Sequence, residues 1–472
     1  MQFKTVDSVI LKELKAIVGE KNILVQKDDM VAYSHDEFSL EEIAHFPDVV
    51  IKPETTEQVS AILKVANTHF LPVTPRGGGT GLCGGCVPVH GGIVLSLERM
   101  NRVLEVDVEN LMAVTQAGVS LHDFYQAIQG SGLFFPPHPG DEGAQIGGVI
   151  ATNAGGARAV KYGVVRNFVH GLEVVLPDGE IIHLGGKLIK SSTGYSLLHL
   201  MIGSEGTLGI ITKATISLLP PPAVMYTLVI PFASLGKAIA TVPDILCNKI
   251  IPMAVEFLES KTIQITEALL NKTWPCHQGE AHLMVMVDGS NEEEAMKLAE
   301  QVQEIALAKD GLDVFIASEK SKQQNILDIR SHIYEAMRAY MLEILDITVP
   351  RAWIADYVNS VHEIEKQYEI WLPTYGHAAD GNVHTHIMKA NYENGVWKEI
   401  ENWQSKYPEV RKALHEIGKK YSGLVSGEHG IGLVKKEYLE TFLEKKQITL
   451  MKEIKQSFDP KGILNPGKLF DF

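Results

Sequence analysis

Cysteine is scarce: four residues in a chain of 472, too few and too scattered for a disulfide framework, which points to a reducing compartment and a cytoplasmic location. No apolar run reaches the roughly 18 residues of a spanning helix, so no membrane span is expected. The opening MQFKTVDSVILKELKAIVGEK disperses Lys and Glu through an amphipathic helical pattern, unlike a secretory leader. Basic residues are outnumbered, 43 Lys and Arg against 58 Asp and Glu, for a net charge of −15. A protein that tracks a phosphate backbone presents a basic face, so no nucleic-acid partner is expected. Internal repeats, low-complexity runs and long linkers are also missing. What is present is an ordinary globular composition, 45% hydrophobic and 21% charged, over a length that calls for roughly two or three domains.

Glycine is clustered. GTGLCG (79–84) satisfies the GxGxxG spacing of a dinucleotide turn, but CVPVHGGIVLSLERM follows where a helix should open, which excludes nicotinamide binding there. What survives is PRGGGTG (75–81), a glycine-dense loop whose backbone amides can approach a diphosphate as a nest. Upstream, DVVIKP reads as a strand, Thr55 and Gln58 fit a capping box, and EQVSAILKVANTHF has helical apolar spacing. The order is strand, helix, strand, glycine loop. Cys83 and Cys86 form a CxxC, yet a metal cluster needs about four thiolates and Cys247 and Cys276 stand alone, so packing of small residues is preferred. A second stretch, residues 136–163, is rich in Gly, Ala and Asn. GLEVVLPDGEIIHLGG reads as a hairpin turning at Asp178-Gly179, and residues 203–209 make a third small-residue loop. Three such loops in one half of the chain suggest a wrapped ligand.

YGHAADGNVHTHI (375–387) places three histidines around Asp380-Gly381, a strong hairpin signal that lets His377 and His384 converge from paired strands. A histidine pair on a hairpin is more often structural than ligating. SGEHGIG supplies a third donor in Glu428, and two histidines with one carboxylate suit a divalent metal that keeps open positions.

Taken together, PRGGGTGL, IGGVIATNAGGARAVKYG and GSEGTLGIIT resemble the FAD-contacting segments of the vanillyl-alcohol oxidase and p-cresol methylhydroxylase superfamily. YGHAADGNVH, VSGEHGIG and FDPKGILNPGKLF are similar to its branch of D-lactate dehydrogenases, the FAD subunit of glycolate oxidase and D-2-hydroxyglutarate dehydrogenase. The resemblance runs from about residue 45 to the end. It implies FAD contacts at Arg76, Gly77, Gly78, Gly79, Thr80, Gly81 and Leu82 in the first loop. In the second stretch it implies Pro139, Gly140, Gly147, Thr152, Asn153, Gly155, Gly156, Tyr162 and Gly163, and further on Glu205, Gly209, Ile210 and Asn465. PRGGGTGL holds no histidine, so the FAD is expected to be non-covalent.

By the same resemblance His377, His384 and Glu428 are the metal ligands, the metal being zinc, iron or manganese, and Arg330 is the substrate-carboxylate residue. His429 is the general base, taking the hydroxyl proton of a 2-hydroxy acid as hydride passes from Cα to flavin N5. Arg351 is assigned to structure or the site rim. The chain departs from the family pattern at Ala379, where the motif usually has glycine, and at Ile344 and Tyr334, where the hydroxyglutarate enzymes carry a lysine and a threonine. Both of the latter favour a short acid, D-lactate first, with glycolate or D-2-hydroxyglutarate as alternatives. The likeness to lactate dehydrogenase subunits, in YSHDE and LVSGEHGIG, implies an electron-transferring flavoprotein as acceptor, with a quinone, a cytochrome or an iron-sulfur subunit left open.

The implied fold is α+β: a PCMH-type FAD-binding domain over 1–220, then a cap of antiparallel sheet covered by helices over 221–425. A last segment, 426–472, is expected to return to the flavin. Two other readings make different predictions. A flavin-free metal hydrolase would be colourless and leave the glycine loops unexplained, and a scaffold flavoprotein would be yellow but not bleached by any hydroxy acid.

Overall fold

A computed structural model describes residues 3–38 and 40–471. The chain divides into two compact units: residues 1–154, 164–221 and 428–472 form one, and residues 155–163 and 222–427 the other. Residues 155–163, expected within the first domain, group instead with the second.

In the first unit the opening helix spans Ser8–Val18. Asp7 accepts from the amides of Val9 and Ile10, and Ile10, Leu14 and Val18 bury one stripe at spacing four. The strand Val49–Ile51 leads into the helix Thr56–His69. Thr55 caps that helix by accepting from the Gln58 amide at 3.3 Å, but the Gln58 side chain reaches back to the amide of Glu54 at 2.7 Å, not to Thr55 as a strict capping box requires. Val73–Arg76 and Ile93–Ser96 follow, and all three strands run parallel in the order 49–51, 93–96, 73–76. A five-stranded antiparallel sheet completes the unit, ordered 103–107, 112–116, 210–217, 169–175, 181–185.

The end of the chain is stitched into this unit. Val73 donates to Ile463 O at 2.8 Å, and Asn465 N returns a bond to Val73 O at 2.8 Å. The buried Lys455 ammonium donates to Thr207 O at 2.7 Å and Leu464 O at 3.0 Å and pairs with Asp459. A buried ammonium persists only with such partners.

The second unit is built on one seven-stranded antiparallel sheet. Its order is Phe315–Ala317, Val224–Phe232, Ala281–Gly289, Ala254–Glu259, Thr374–His377, Asn382–Met388, Met341–Thr348. Residues 281–287 are all buried, as expected for a central strand covered on both faces. Helices Leu235–Cys247, Glu292–Ala308 and Ile354–Tyr368 belong to this unit. The apolar spacing of NILDIRSHIYEAMRAYM (325–341) looks helical throughout, but the helix is broken: Lys320–Ser331 ends, Ile333–Met337 restarts, and Met341–Thr348 is strand. At the break the His332 imidazole bonds Asp328 O at 2.8 Å, sharing the carbonyl that the helix ladder uses, and the apolar run after it is claimed by the sheet.

Candidate functional site

The hairpin forms around Asp380-Gly381. Gly381 sits at φ +97°, and a Cβ there would meet Val349 O at 2.1 Å, so only glycine fits. Asp380 Oδ1 accepts from the Asn382 amide at 3.1 Å and tightens the turn. Ala379, in place of the usual glycine, is buried without disturbing the pairing.

Register then decides what meets. Tyr375 lies opposite His384 and His377 opposite Asn382; Asp346 pairs with His384, Ile344 with His386, and Glu256 with His377. Paired residues share a face, so one face of the sheet carries Glu256, Tyr375, His377, Asn382, His384, His386, Ile344 and Asp346. The His377 and His384 rings stand edge to face at 5.4 Å.

Two buried carboxylates hold this constellation. Glu256, wholly buried, accepts from His377 Nδ1 at 2.6 Å and from Arg330 Nε at 2.7 Å. Burial pushes its carboxyl up, but the Arg330 guanidinium and His377 prevail and hold it at about 2. With Nδ1 donating to Glu256, Nε2 is the His377 nitrogen that carries the lone pair. Asp346 accepts from Asn382 Nδ2 at 2.7 Å, Ser426 Oγ at 2.7 Å and the Gly427 amide at 3.1 Å, and its Oδ1 lies 3.8 Å from His384 Nδ1. Glu428 follows Gly427 directly in the chain. Two imidazoles beside anchored carboxylates form a donor set that fits a divalent cation.

Arg330, expected to face a substrate carboxylate, spends its Nε edge on Glu256 and lies over the Tyr375 ring at 4.9 Å. The Tyr375 hydroxyl is 3.0 Å from His386 Nε2, and Tyr334 packs 6.3 Å from the His386 ring. Arg351 is exposed at the start of a short 3-10 turn.

Glu256 and Asp346 were not anticipated. Each is a wholly buried acid within a largely apolar strand, in AVEFLE and MLEILDIT. An acid in a strand with both faces covered demands a partner, and that was the available signal.

In the first unit Arg76 ends a parallel strand. Its Nη1 donates to His35 O at 2.7 Å and to Cys86 Sγ at 3.0 Å, while burial pushes the Cys86 thiol up to about 11. Cys83 Sγ donates to Gly430 O at 3.3 Å, so the two thiols of the CxxC engage separate partners. Gly78 is needed for close approach, since a Cβ would lie 2.7 Å from Gly143 O. Thr80 and Leu82 are half-buried, and Gly81 O accepts from the Glu37 amide at 2.9 Å. Pro139 is half-buried beside the exposed Gly140; Asn153, at φ +53°, accepts from the Arg166 amide at 3.0 Å, and Thr152 Oγ1 donates to Gly148 O at 3.2 Å.

Gly147, Gly209 and Ile210 serve packing: Cβ atoms at the two glycines would strike Ala117 and Val174, and Ile210 is a buried strand residue. Gly155, Gly156, Tyr162 and Gly163 belong to the second unit, where Lys161 pairs with Asp288 at 2.5 Å.

Glu205, expected at the cofactor, has its carboxylate on the amides of Ile431 at 2.7 Å and Gly432 at 2.8 Å, and burial pushes its carboxyl up. It therefore anchors the loop that carries Glu428 and His429. The Asn465 amide donates to Gly85 O at 2.9 Å and Glu205 O at 2.8 Å. Asn465 Oδ1 and Gln145 Oε1 are buried acceptors with no partner among the described residues. Around Gly85, Gly140 and Gly148 an added Cβ would meet nothing within 4 Å. Open space beside a glycine loop, with two unsatisfied acceptors, fits a ligand that carries both a diphosphate and hydrogen-bond donors.

Comparison with known proteins agrees with that fit. Residues 47–185 match the FAD binding domain family, and residues 221–469 match the family of FAD linked oxidases, C-terminal domain. A D-lactate dehydrogenase of Archaeoglobus fulgidus is 48% identical over 89% of this chain and 91% of its own length. A D-lactate dehydrogenase of Anaerostipes hadrus is 38% identical over 99% and 98%, and glycolate oxidase subunit GlcD of Bacillus subtilis 39% identical over 98% and 96%. Among solved structures, p-cresol methylhydroxylase has a TM-score of 0.79 at 19% identity, covering 100% of this chain and 99% of that one, a likeness of fold.

Proposed function

This chain belongs to the FAD-linked oxidases, and on that premise we propose that it is an FAD-dependent dehydrogenase of short D-2-hydroxy acids, with D-lactate as its first substrate. The observation that carries the reading is the single sheet face on which His377, His384, Arg330 and two buried carboxylates converge, in a chain 48% and 38% identical to two D-lactate dehydrogenases. When bound, FAD supplies a two-electron acceptor and a divalent metal a Lewis acid at the substrate hydroxyl.

The chain's own residues do the rest. His377, His384 and Glu428 are the proposed metal ligands, the first oriented by Glu256 and the last following a loop pinned to Asp346. Arg330 takes the substrate carboxylate; a guanidinium with five N–H donors can serve Glu256 and a substrate together. His429 removes the hydroxyl proton. The glycine loop from Arg76 to Leu82, with Gly140, Gln145 and Asn465, is the proposed cofactor cradle, and the FAD is non-covalent. Ile344 and Tyr334, near His386, are uncharged and offer no cation of their own to a second carboxylate, which favours lactate over hydroxyglutarate. Electrons pass to an external acceptor, for which we propose an electron-transferring flavoprotein.

Steady-state turnover with an artificial acceptor tests the substrate. D-Lactate should show a higher kcat/KM than glycolate and D-2-hydroxyglutarate; a preference for hydroxyglutarate would overturn the assignment.

A further inference from the structure

Resting on the metal reading above, we propose that Glu256 is a positioning residue that couples the metal-binding imidazole of His377 to the substrate-binding guanidinium of Arg330. One wholly buried carboxylate bridges the two: Oε1 takes His377 Nδ1 at 2.6 Å and Oε2 takes Arg330 Nε at 2.7 Å. The partners come from the strand Thr374–His377 and the helix Lys320–Ser331, 121 and 74 residues away in sequence.

Each oxygen has a separate effect. Oε1 fixes the His377 tautomer, turns Nε2 into the donor atom and makes the imidazole more basic toward a metal. Oε2 holds the Nε edge of Arg330, and the Tyr375 ring at 4.9 Å supports the guanidinium plane from one side. Because both oxygens belong to one planar group, a shift at either end is felt at the other. Metal loading and carboxylate recognition are therefore linked, and thermodynamic linkage is reciprocal: a bound carboxylate tightens the metal as much as the metal tightens the carboxylate.

The test uses the full-length protein stripped of metal, with the dissociation constant for zinc and for manganese read by competition with a chromophoric chelator, with and without pyruvate. Glu256→Gln should weaken metal binding by about 10- to 100-fold. Arg330→Lys replaces no proposed metal ligand and keeps the charge while losing the planar fork. It should weaken metal binding by about fivefold and abolish the tightening by pyruvate. If Glu256→Gln does not fold, Arg330→Lys decides alone. Metal affinity unchanged in either folded variant, or pyruvate linkage surviving in Arg330→Lys, overturns the coupling while leaving the metal reading intact. A wild-type protein that takes up neither metal stoichiometrically overturns the metal reading and the inference with it.

Discussion

Replacing Glu205 by alanine removes the carboxylate that holds the amides of Ile431 at 2.7 Å and Gly432 at 2.8 Å. A hydrogen bond to a charged group contributes about 1.5–3 kcal/mol, and two are lost together. Burial raises the Glu205 carboxyl above its ordinary range, a desolvation that offsets part of the gain, so we take ~3 kcal/mol for the pair. At about 1.4 kcal/mol per tenfold, local opening of the loop around Gly430 rises about a hundredfold. Hydrogen exchange by mass spectrometry over residues 428–434 reads that directly, because exchange there tracks local opening and not only global unfolding. Glu205→Gln keeps one acceptor and should fall between. Turnover should drop alongside, since His429 rides on the same loop. Wild-type exchange at Ile431 and Gly432 in folded Glu205→Ala would refute the anchoring role.

Other perturbations give separate outcomes. His282 is buried, accepts from Trp274 Nε1 at 3.2 Å, and desolvation drives its pKa down to about 4. The unfolded chain therefore binds the proton more readily between about 6.5 and 4. Stability present above pH ~6.5 falls by up to about 3 kcal/mol as pH drops through that window, and His282→Gln removes this component in urea titrations followed by tryptophan fluorescence. Gly381→Ala sets a Cβ 2.1 Å from Val349 O at φ +97°, and should cost about 3 kcal/mol or more in thermal unfolding and lower metal content by mass spectrometry. Ile344→Lys, opposite His386, should raise the kcat/KM ratio of D-2-hydroxyglutarate to D-lactate by about tenfold, one well-made ion pair.

Local features were legible in sequence and long-range ones were not. The Asp380-Gly381 turn, the Thr55 cap and the strand-helix-strand before the glycine loop rest on neighbouring residues, and the structure carries each. Glu256 on His377 depends on two strands pairing across 121 residues, which no periodicity reports. The break at His332 is not legible in sequence, since apolar spacing from 325 to 341 continues through it while an imidazole bonded to its own helix carbonyl stops the ladder. Glu205 is implied as a cofactor contact by resemblance, whereas the bonds of its carboxylate to two amides 226 and 227 residues further on are not legible in sequence. The two buried acids are the instructive misses, because an acid enclosed in a covered strand identifies its own importance once the strand is known to be central.

The most direct measurement is anaerobic. The metal-replete, yellow protein is mixed with D-lactate, L-lactate, glycolate and D-2-hydroxyglutarate in turn, and the oxidised-flavin band is followed. Bleaching by D-lactate is expected, lost on chelation or with His377→Ala. A yellow protein that none of these acids bleaches, or one bleached equally well after the metal is removed, would contradict it.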